Sequence, residues 1–156
     1  MKTGSKERDL FLKLCRYCAY RERSISELRE KMAMLEILPS LQEDLLLKLQ
    51  EENFLNEKRF AASFVRGKFR NNSWGRNKIV FGLRSKGISK KDIDAGLKEI
   101  EEEDYLEKMK TLMHSKMRTV RLKNILARRK KVADFMQRKG YEIHLVWEIL
   151  KQEFPD

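Results

Sequence analysis

Apolar residues recur three or four positions apart along nearly the whole chain, which is the spacing of amphipathic helices. Leu10, Leu14 and Cys18 form one such stripe near the amino terminus, and Ile143 and Val146 begin the last one. No stretch shows the alternation of apolar and polar residues that a half-buried strand requires. The pattern therefore predicts an all-α chain of nine helices.

Capping signals predict where several helices begin, because Ser and Asn side chains accept hydrogen bonds from the first free backbone N–H groups. Ser24 precedes Glu27 by three residues, as in a capping box, and Ser40 precedes Glu43 in the same way. Gly87 marks a helix end. The first predicted helix covers residues 6–21, the second begins at Ser24, the third begins at Ser40, and the fourth covers 57–70 after the cap Asn56. The fifth runs from about Trp74 to Lys86, the sixth begins at Ser89 with Asp92, and the seventh begins near Asp104. The eighth ends at Gly140, and the ninth includes Ile143 to Leu150.

The helices repeat in groups of three. A shift of 51 positions places Leu28 on Ile79, and a further shift of 53 places Ile79 on Val132 and Gly87 on Gly140. Such units bury too little surface alone and stack on their neighbours. We predict three tandem three-helix repeats, at residues 1–55, 56–103 and 104–156, stacked into an elongated, curved molecule.

The first repeat departs from this pattern at its second helix. Glu36 stands where the other repeats have a glycine, and Pro39 follows in the connection. Because a glycine adopts the left-handed conformation at little cost, we expect the helix end at Glu36 to be built differently.

Charge is unevenly distributed along a chain whose formal net charge is +11. Residues 57–91 contain eleven Lys or Arg and one Glu, residues 118–131 contain seven and no acid, and residues 92–104 contain seven acids. Basic blocks of this size favour a polyanionic partner, although solvated helix surfaces also carry charge. The candidate contacts to nucleic acid or to an acidic protein are Arg66, Lys68, Arg70, Trp74, Arg76, Lys78, Arg84, Lys86, Arg121, Lys123, Arg128, Arg129, Lys130, Lys131 and Arg138.

Trp74 has two interpretations. Its ring offers a face on which a base could stack. Its position at a helix start favours packing against the neighbouring helix instead.

Other classes of protein are disfavoured by the sequence. No apolar run approaches the ~20 residues of a membrane span, and the amino terminus lacks the features of a signal peptide, so we expect a cytoplasmic protein. Cys15 and Cys18 form a C-x-x-C without further ligands at zinc spacing, and we expect no metal and no cofactor. A Gly-rich phosphate loop and a nucleophile with a histidine partner are both missing, which disfavours an enzyme.

Several motifs resemble the RecX family of bacterial regulatory proteins. The resemblance covers nearly the whole chain and is strongest over residues 53–88. The motifs are Ser26-Glu27-Leu28-Arg29, Asn53-Phe54-Leu55-Asn56-Glu57-Lys58-Arg59-Phe60-Ala61, Phe64-Val65-Arg66, Trp74-Gly75, Leu83-Arg84-Ser85-Lys86-Gly87-Ile88 and Arg138-Lys139-Gly140-Tyr141.

This resemblance implies three tandem three-helix repeats and a regulator that binds the RecA recombinase filament on single-stranded DNA, within its helical groove. It implies slower ATP hydrolysis and strand exchange by RecA, and a role in recombination, DNA repair and the SOS response. We expect a monomer. The alternative is a general DNA- or RNA-binding helical module without a recombinase partner, which shares every compositional feature.

Overall fold

The computed structural model describes the backbone of residues 2–156 and the side chains of residues 4–156, and the first residue of the predicted repeat 1–55 lies outside them. Every regular element in this range is an α-helix, as predicted. The helices of the described chain are α1 (Lys2–Tyr20), α2 (Ile25–Met34), α3 (Pro39–Glu51), α4 (Glu57–Asn72), α5 (Arg76–Ser85), α6 (Lys90–Leu97), α7 (Glu102–Thr119), α8 (Ile125–Arg138) and α9 (Ile143–Glu153).

Three of the predicted helix caps are confirmed. Ser24 and Glu27 form a complete capping box at the start of α2. The side chains of Asn56 and Ser89 each accept a hydrogen bond from the backbone N–H three residues later, at 2.9 and 3.2 Å. These bonds satisfy donors that the first turn of a helix otherwise leaves unpaired.

The start of α3 was predicted wrongly. The helix begins at Pro39, one residue before the predicted cap at Ser40, and Leu38 precedes it without a side-chain capping bond. Proline suits the first helical position because its φ is already helical and its missing N–H would have no partner there. Helix α7 begins at Glu102, slightly before the predicted Asp104.

The second helix of every repeat ends in the same way. Glu36, Gly87 and Gly140 all have positive φ, at 55°, 74° and 97°. The residue after each one donates its N–H to the carbonyl oxygen five residues earlier, at 3.0 to 3.1 Å. The expectation that the helix end at Glu36 differs is therefore wrong: the glutamate adopts the strained left-handed conformation that glycine adopts freely.

The predicted equivalence of core positions is confirmed. Leu28, Ile79 and Val132 lie in the second helix of their repeats, and each is fully buried. Cys15 and Cys18 are buried on α1 as free thiols. Burial, and to a smaller extent the neighbouring Cys15, raises the pKa of the Cys18 thiol to about 11.

The described chain divides into two compact units. The first unit comprises Met1–Ser63 and Leu83–Gly96, and the second comprises Phe64–Gly82 and Leu97–Asp156. Helices α1 to α3 pack together in the first unit, and α7 to α9 pack together in the second. The middle repeat contributes to both units.

Candidate functional site

The connection between α4 and α5, in the second unit, brings several predicted contact residues together. Ser73 adopts a left-handed conformation with φ of 56°, which turns the chain sharply after α4. The backbone N–H of Trp74 then donates to the carbonyl oxygen of Lys68 at 3.0 Å. This bond brings the start of the α5 segment back to the last turns of α4.

Two ammonium groups lie beside the indole of Trp74. The Nζ atoms of Lys68 and Lys78 are 4.8 and 4.7 Å from the ring centroid. The electron-rich face of an indole attracts cations at this distance, so the ring holds two like charges close together. We call Lys68, Trp74 and Lys78 the Trp74 cluster.

Trp74 is also packed within the protein. Its ring meets Phe64 edge to face, with centroids 6.2 Å apart. A methyl group added at Gly82 would lie 3.0 Å from Phe64 and 3.6 Å from Trp74. The packing interpretation of Trp74 therefore describes this structure, in which the ring stays half-buried beneath the two lysines.

Backbone hydrogen bonds fix the start of α5 against the end of α8. The N–H of Gly75 donates to the carbonyl oxygen of Lys139 at 2.8 Å, and that of Asn77 donates to Gly140 at 2.9 Å. A Cβ atom on Gly75 would lie 2.4 Å from the Gly140 carbonyl carbon. The two backbone segments approach so closely that only glycine fits at position 75.

Lys139 adds a further cation here, since its Nζ donates to the Asn72 carbonyl oxygen at 3.1 Å. Lys139 was not among the residues predicted from the sequence. The repeat shift that aligns Gly87 with Gly140 also aligns Lys86 with Lys139, and Lys86 was included, so this signal was available.

Arg76 is held inside the second unit. Its guanidinium forms ion pairs with Glu142, at 2.8 Å, and with Glu102, and it lies 3.8 Å above the Tyr105 ring. The Tyr105 hydroxyl donates to Glu142 and accepts the backbone N–H of Arg76. Burial, and next the hydrogen bond to Glu142, raises the pKa of Tyr105. These contacts give Arg76 a structural role.

Arg128 and Arg129 also have internal partners. Arg129 is buried, donates to the Phe154 carbonyl oxygen and pairs with Asp156 at 2.9 Å. Arg128 donates to the Met117 carbonyl oxygen at 3.0 Å. Both side chains tie α8 to neighbouring segments of the second unit.

The remaining candidates of the second unit lie at its surface. Arg66 forms an ion pair with Glu99 at 3.2 Å, and Lys130 pairs with Asp134 at 3.7 Å. Arg70 lines a shallow depression together with Asp104 and Glu107. The exposed side chains of this group are Arg70, Arg121, Lys123, Lys130, Lys131 and Arg138.

Two candidates belong to the first unit. Arg84 is exposed, whereas Lys86 is half-buried and lies 3.7 Å from the buried carboxylate of Glu27. Burial alone would raise the pKa of Glu27, but the hydrogen bond from Arg21 and the charges of Lys86 and Arg21 outweigh it and lower that pKa. Lys86, which follows α5, therefore also partners the buried carboxylate of Glu27 in α2.

No group of metal-binding side chains occurs among the residues that the structure describes. Within the same range, none of the helices is both long enough and apolar enough to cross a bilayer.

Comparison with known proteins identifies the family. The model of the RecX second three-helix domain matches residues 56–97, and that of the third three-helix domain matches residues 102–150. The chain belongs to the RecX family. A RecX regulatory protein of Bacillus mycoides is 28% identical over 149 residues, which are 94% of this chain and 55% of the relative. A RecX regulatory protein of Limosilactobacillus reuteri is 27% identical over 151 residues, which are 97% of this chain and 57% of that relative.

Solved RecX structures have the same fold. The crystal structure of a regulatory protein RecX matches with a TM-score of 0.85 at 26% identity and covers 97% of this chain and 75% of that one. RecX from Lactobacillus salivarius matches with a TM-score of 0.84 at 20% identity, which shows the fold alone. This chain spans about half the length of the first two relatives named above.

Proposed function

We propose that this chain is a non-enzymatic regulator that binds the RecA filament on single-stranded DNA and restrains its ATP hydrolysis and strand exchange. Such restraint would act in recombination, DNA repair and the SOS response. Membership in the RecX family, whose members are named regulatory proteins, is the observation that carries the proposal.

The Trp74 cluster supports a polyanionic partner. Each ammonium that neutralises a phosphate releases a condensed counterion, which favours binding at low salt. Lys68 and Lys78 are both within reach of the Trp74 ring, so one polymer segment can meet both charges. We assign this cluster, with the exposed Arg70 and with Lys139, to the contact surface.

We assign other predicted residues to folding instead. Three arginines form hydrogen bonds or ion pairs to other residues of the chain, namely Arg76, Arg128 and Arg129. A phosphate would have to displace those partners, and breaking a partly buried charge pair is costly. We therefore leave these three arginines out of the contact surface.

We further propose that the three repeats span residues 1–55, 56–103 and 104–156, and that the free chain is a monomer. The proposed partner assembles on chromosomal single-stranded DNA, which in bacteria places the regulator in the cytoplasm.

The test measures DNA-dependent ATP hydrolysis by RecA while the chain is titrated. We expect inhibition at or below a one-to-one ratio of chain to RecA. A variant with Lys68→Glu, Arg70→Glu and Lys78→Glu should inhibit at least about tenfold less well, since like charges then oppose the filament. Lys151→Glu, an exposed lysine of α9, is the control and should inhibit normally.

A different outcome would favour the alternative. If RecA hydrolyses ATP at the same rate at every ratio, while salt-sensitive binding to DNA or RNA persists, the chain is a general nucleic-acid-binding module and the regulator proposal fails.

A further inference from the structure

A groove of about 510 Å³ lies in the first unit, between α1 and the turn that joins α2 to α3. Leu10, Leu35 and Leu41 give it an apolar floor. Leu38 stands at its edge with 70% of its surface exposed. We call this surface the Leu38 groove.

The edge of the groove is rigid. Leu38 is followed by Pro39, whose φ is fixed. The side chain of Gln42 donates to the Ile37 carbonyl oxygen at 2.8 Å, and the left-handed Glu36 closes the preceding turn. A backbone segment held in this way loses little conformational entropy when a partner covers it.

The charge of the groove is opposite to that of the chain. Glu7, Glu36 and Asp44 line it with a single lysine, Lys6, among the described lining residues. The whole chain has a net charge of +11. An acidic rim repels phosphates, so this groove suits a basic protein segment with aliphatic side chains rather than the nucleic acid.

The chain itself carries a segment with that chemistry. In the second unit, Leu122 and Leu126 are 39% and 62% exposed, so two apolar side chains lie at the surface of one short segment. Arg121 and Lys123 flank Leu122 and are exposed. We call residues 121–126 the Leu122 ridge.

We infer that neighbouring copies of this chain touch when they are bound to one polymer, with the Leu122 ridge of one copy in the Leu38 groove of the next. The inference rests on the proposed function, because a filament is what brings successive copies side by side. A contact of this size is too small to hold free chains together. On a filament the effective concentration of the neighbour is far higher, so the same contact makes binding cooperative.

Cysteine cross-linking tests this contact directly. Copies with Leu38→Cys are mixed with copies carrying Leu122→Cys on RecA filaments and treated with a mild oxidant. We expect a disulfide-linked heterodimer that neither variant forms alone. Leu47→Cys is the matched control, because Leu47 is 57% exposed on α3 of the same unit but does not line the groove. The natural thiols are buried and interfere little.

Charge exchange adds specificity to the test. Glu36→Lys with Asp44→Lys in the Leu38→Cys copy should reduce the heterodimer about tenfold, since like charges then meet. Arg121→Glu with Lys123→Glu in the other copy should restore it. Equal cross-linking by the Leu47→Cys control, or an unchanged yield after charge reversal, would overturn the inference.

The test also separates this inference from the proposed function. The same cross-link is measured in concentrated solution without RecA or DNA, where the charge exchange should have the same effect. A chain that ignores RecA but forms this heterodimer contradicts the proposed function alone. Absence of the heterodimer both on filaments and in concentrated solution, or cross-linking of Leu38→Cys to RecA itself, would overturn the inference alone.

Discussion

The backbone N–H of Gly75 donates to the carbonyl oxygen of Lys139 at 2.8 Å, and this bond joins two repeats through main-chain atoms. A Cβ on Gly75 would overlap Gly140, at 2.4 Å from its carbonyl carbon. We expect Gly75→Ala to lower the free energy of unfolding by about 2–3 kcal/mol, as overpacking against an immobile backbone does. Urea denaturation followed by circular dichroism measures the change.

The control for this substitution is Gly67→Ala. Gly67 lies inside α4, and a Cβ added there would meet no atom of a neighbouring segment within 4 Å. Because alanine favours the helix over glycine, this variant should be more stable by about 0.5–1 kcal/mol. Similar effects of both substitutions would contradict the close contact at Gly75.

Glu36 offers a stabilising substitution. Its φ of 55° lies in the left-handed region, which is energetically unfavourable for any residue with a Cβ. Its side chain is exposed. We expect Glu36→Gly to raise the free energy of unfolding by about 0.5–1 kcal/mol, which is the strain relieved less the added entropy of the unfolded chain. Gly87→Ala, at the equivalent turn, should lower it. A less stable Glu36→Gly variant would mean that the glutamate side chain itself holds this turn.

Stability in acid should depend on Glu27. Its pKa is lower in the folded chain than in the unfolded one, so the ionised carboxylate stabilises the fold above the unfolded pKa of about 4.3. That contribution is lost as the pH falls through the lowered folded pKa. Glu27→Gln should therefore be less stable by about 1–3 kcal/mol at neutral pH, and the difference should shrink towards pH 3.

Glu57 should change the pH dependence of stability in the direction opposite to Glu27. Burial raises its pKa in the folded chain, and the N–H of Ile25 offsets this only in part. The wild-type protein therefore gains stability relative to Glu57→Gln as the pH falls. Urea unfolding midpoints measured across the acid range should separate Glu27→Gln from Glu57→Gln. If the midpoints of both variants change with pH in parallel with the wild type, both pKa shifts are contradicted.

The salt dependence of single-stranded DNA binding tests the Trp74 cluster. Replacing Lys68 and Lys78 with glutamine should reduce the slope of log K against log salt by about 1.4, at about 0.7 for each phosphate contact. Fluorescence anisotropy with a labelled oligonucleotide measures the slope. Lys151→Gln should leave it unchanged, and an equal reduction in that control would show a general charge effect.

The sequence predicted the helices and the core well because both follow from spacing. Leu28, Ile79 and Val132 were aligned by shift and are all buried. The wrong cap at Ser40 arose because the proline before it is an equally good helix start. Sequence does not show which of two permitted starts packs better.

The basic residues were harder to sort from the sequence. Arg70 and Arg76 look alike in the chain, yet Arg70 is exposed and Arg76 pairs with Glu142. Of the two acids that pair with Arg76, Glu142 lies 66 residues further along the chain, just before α9. Only the fold reveals such a partner, whereas composition reports the sum of all charges.

The two cysteines of α1 have a consequence for oxidative damage. Peroxide attacks thiolates, and both thiols are buried with raised pKa values, so little of either is in the reactive form. In peroxide the first repeat should therefore stay chemically intact while more exposed thiols are oxidised first.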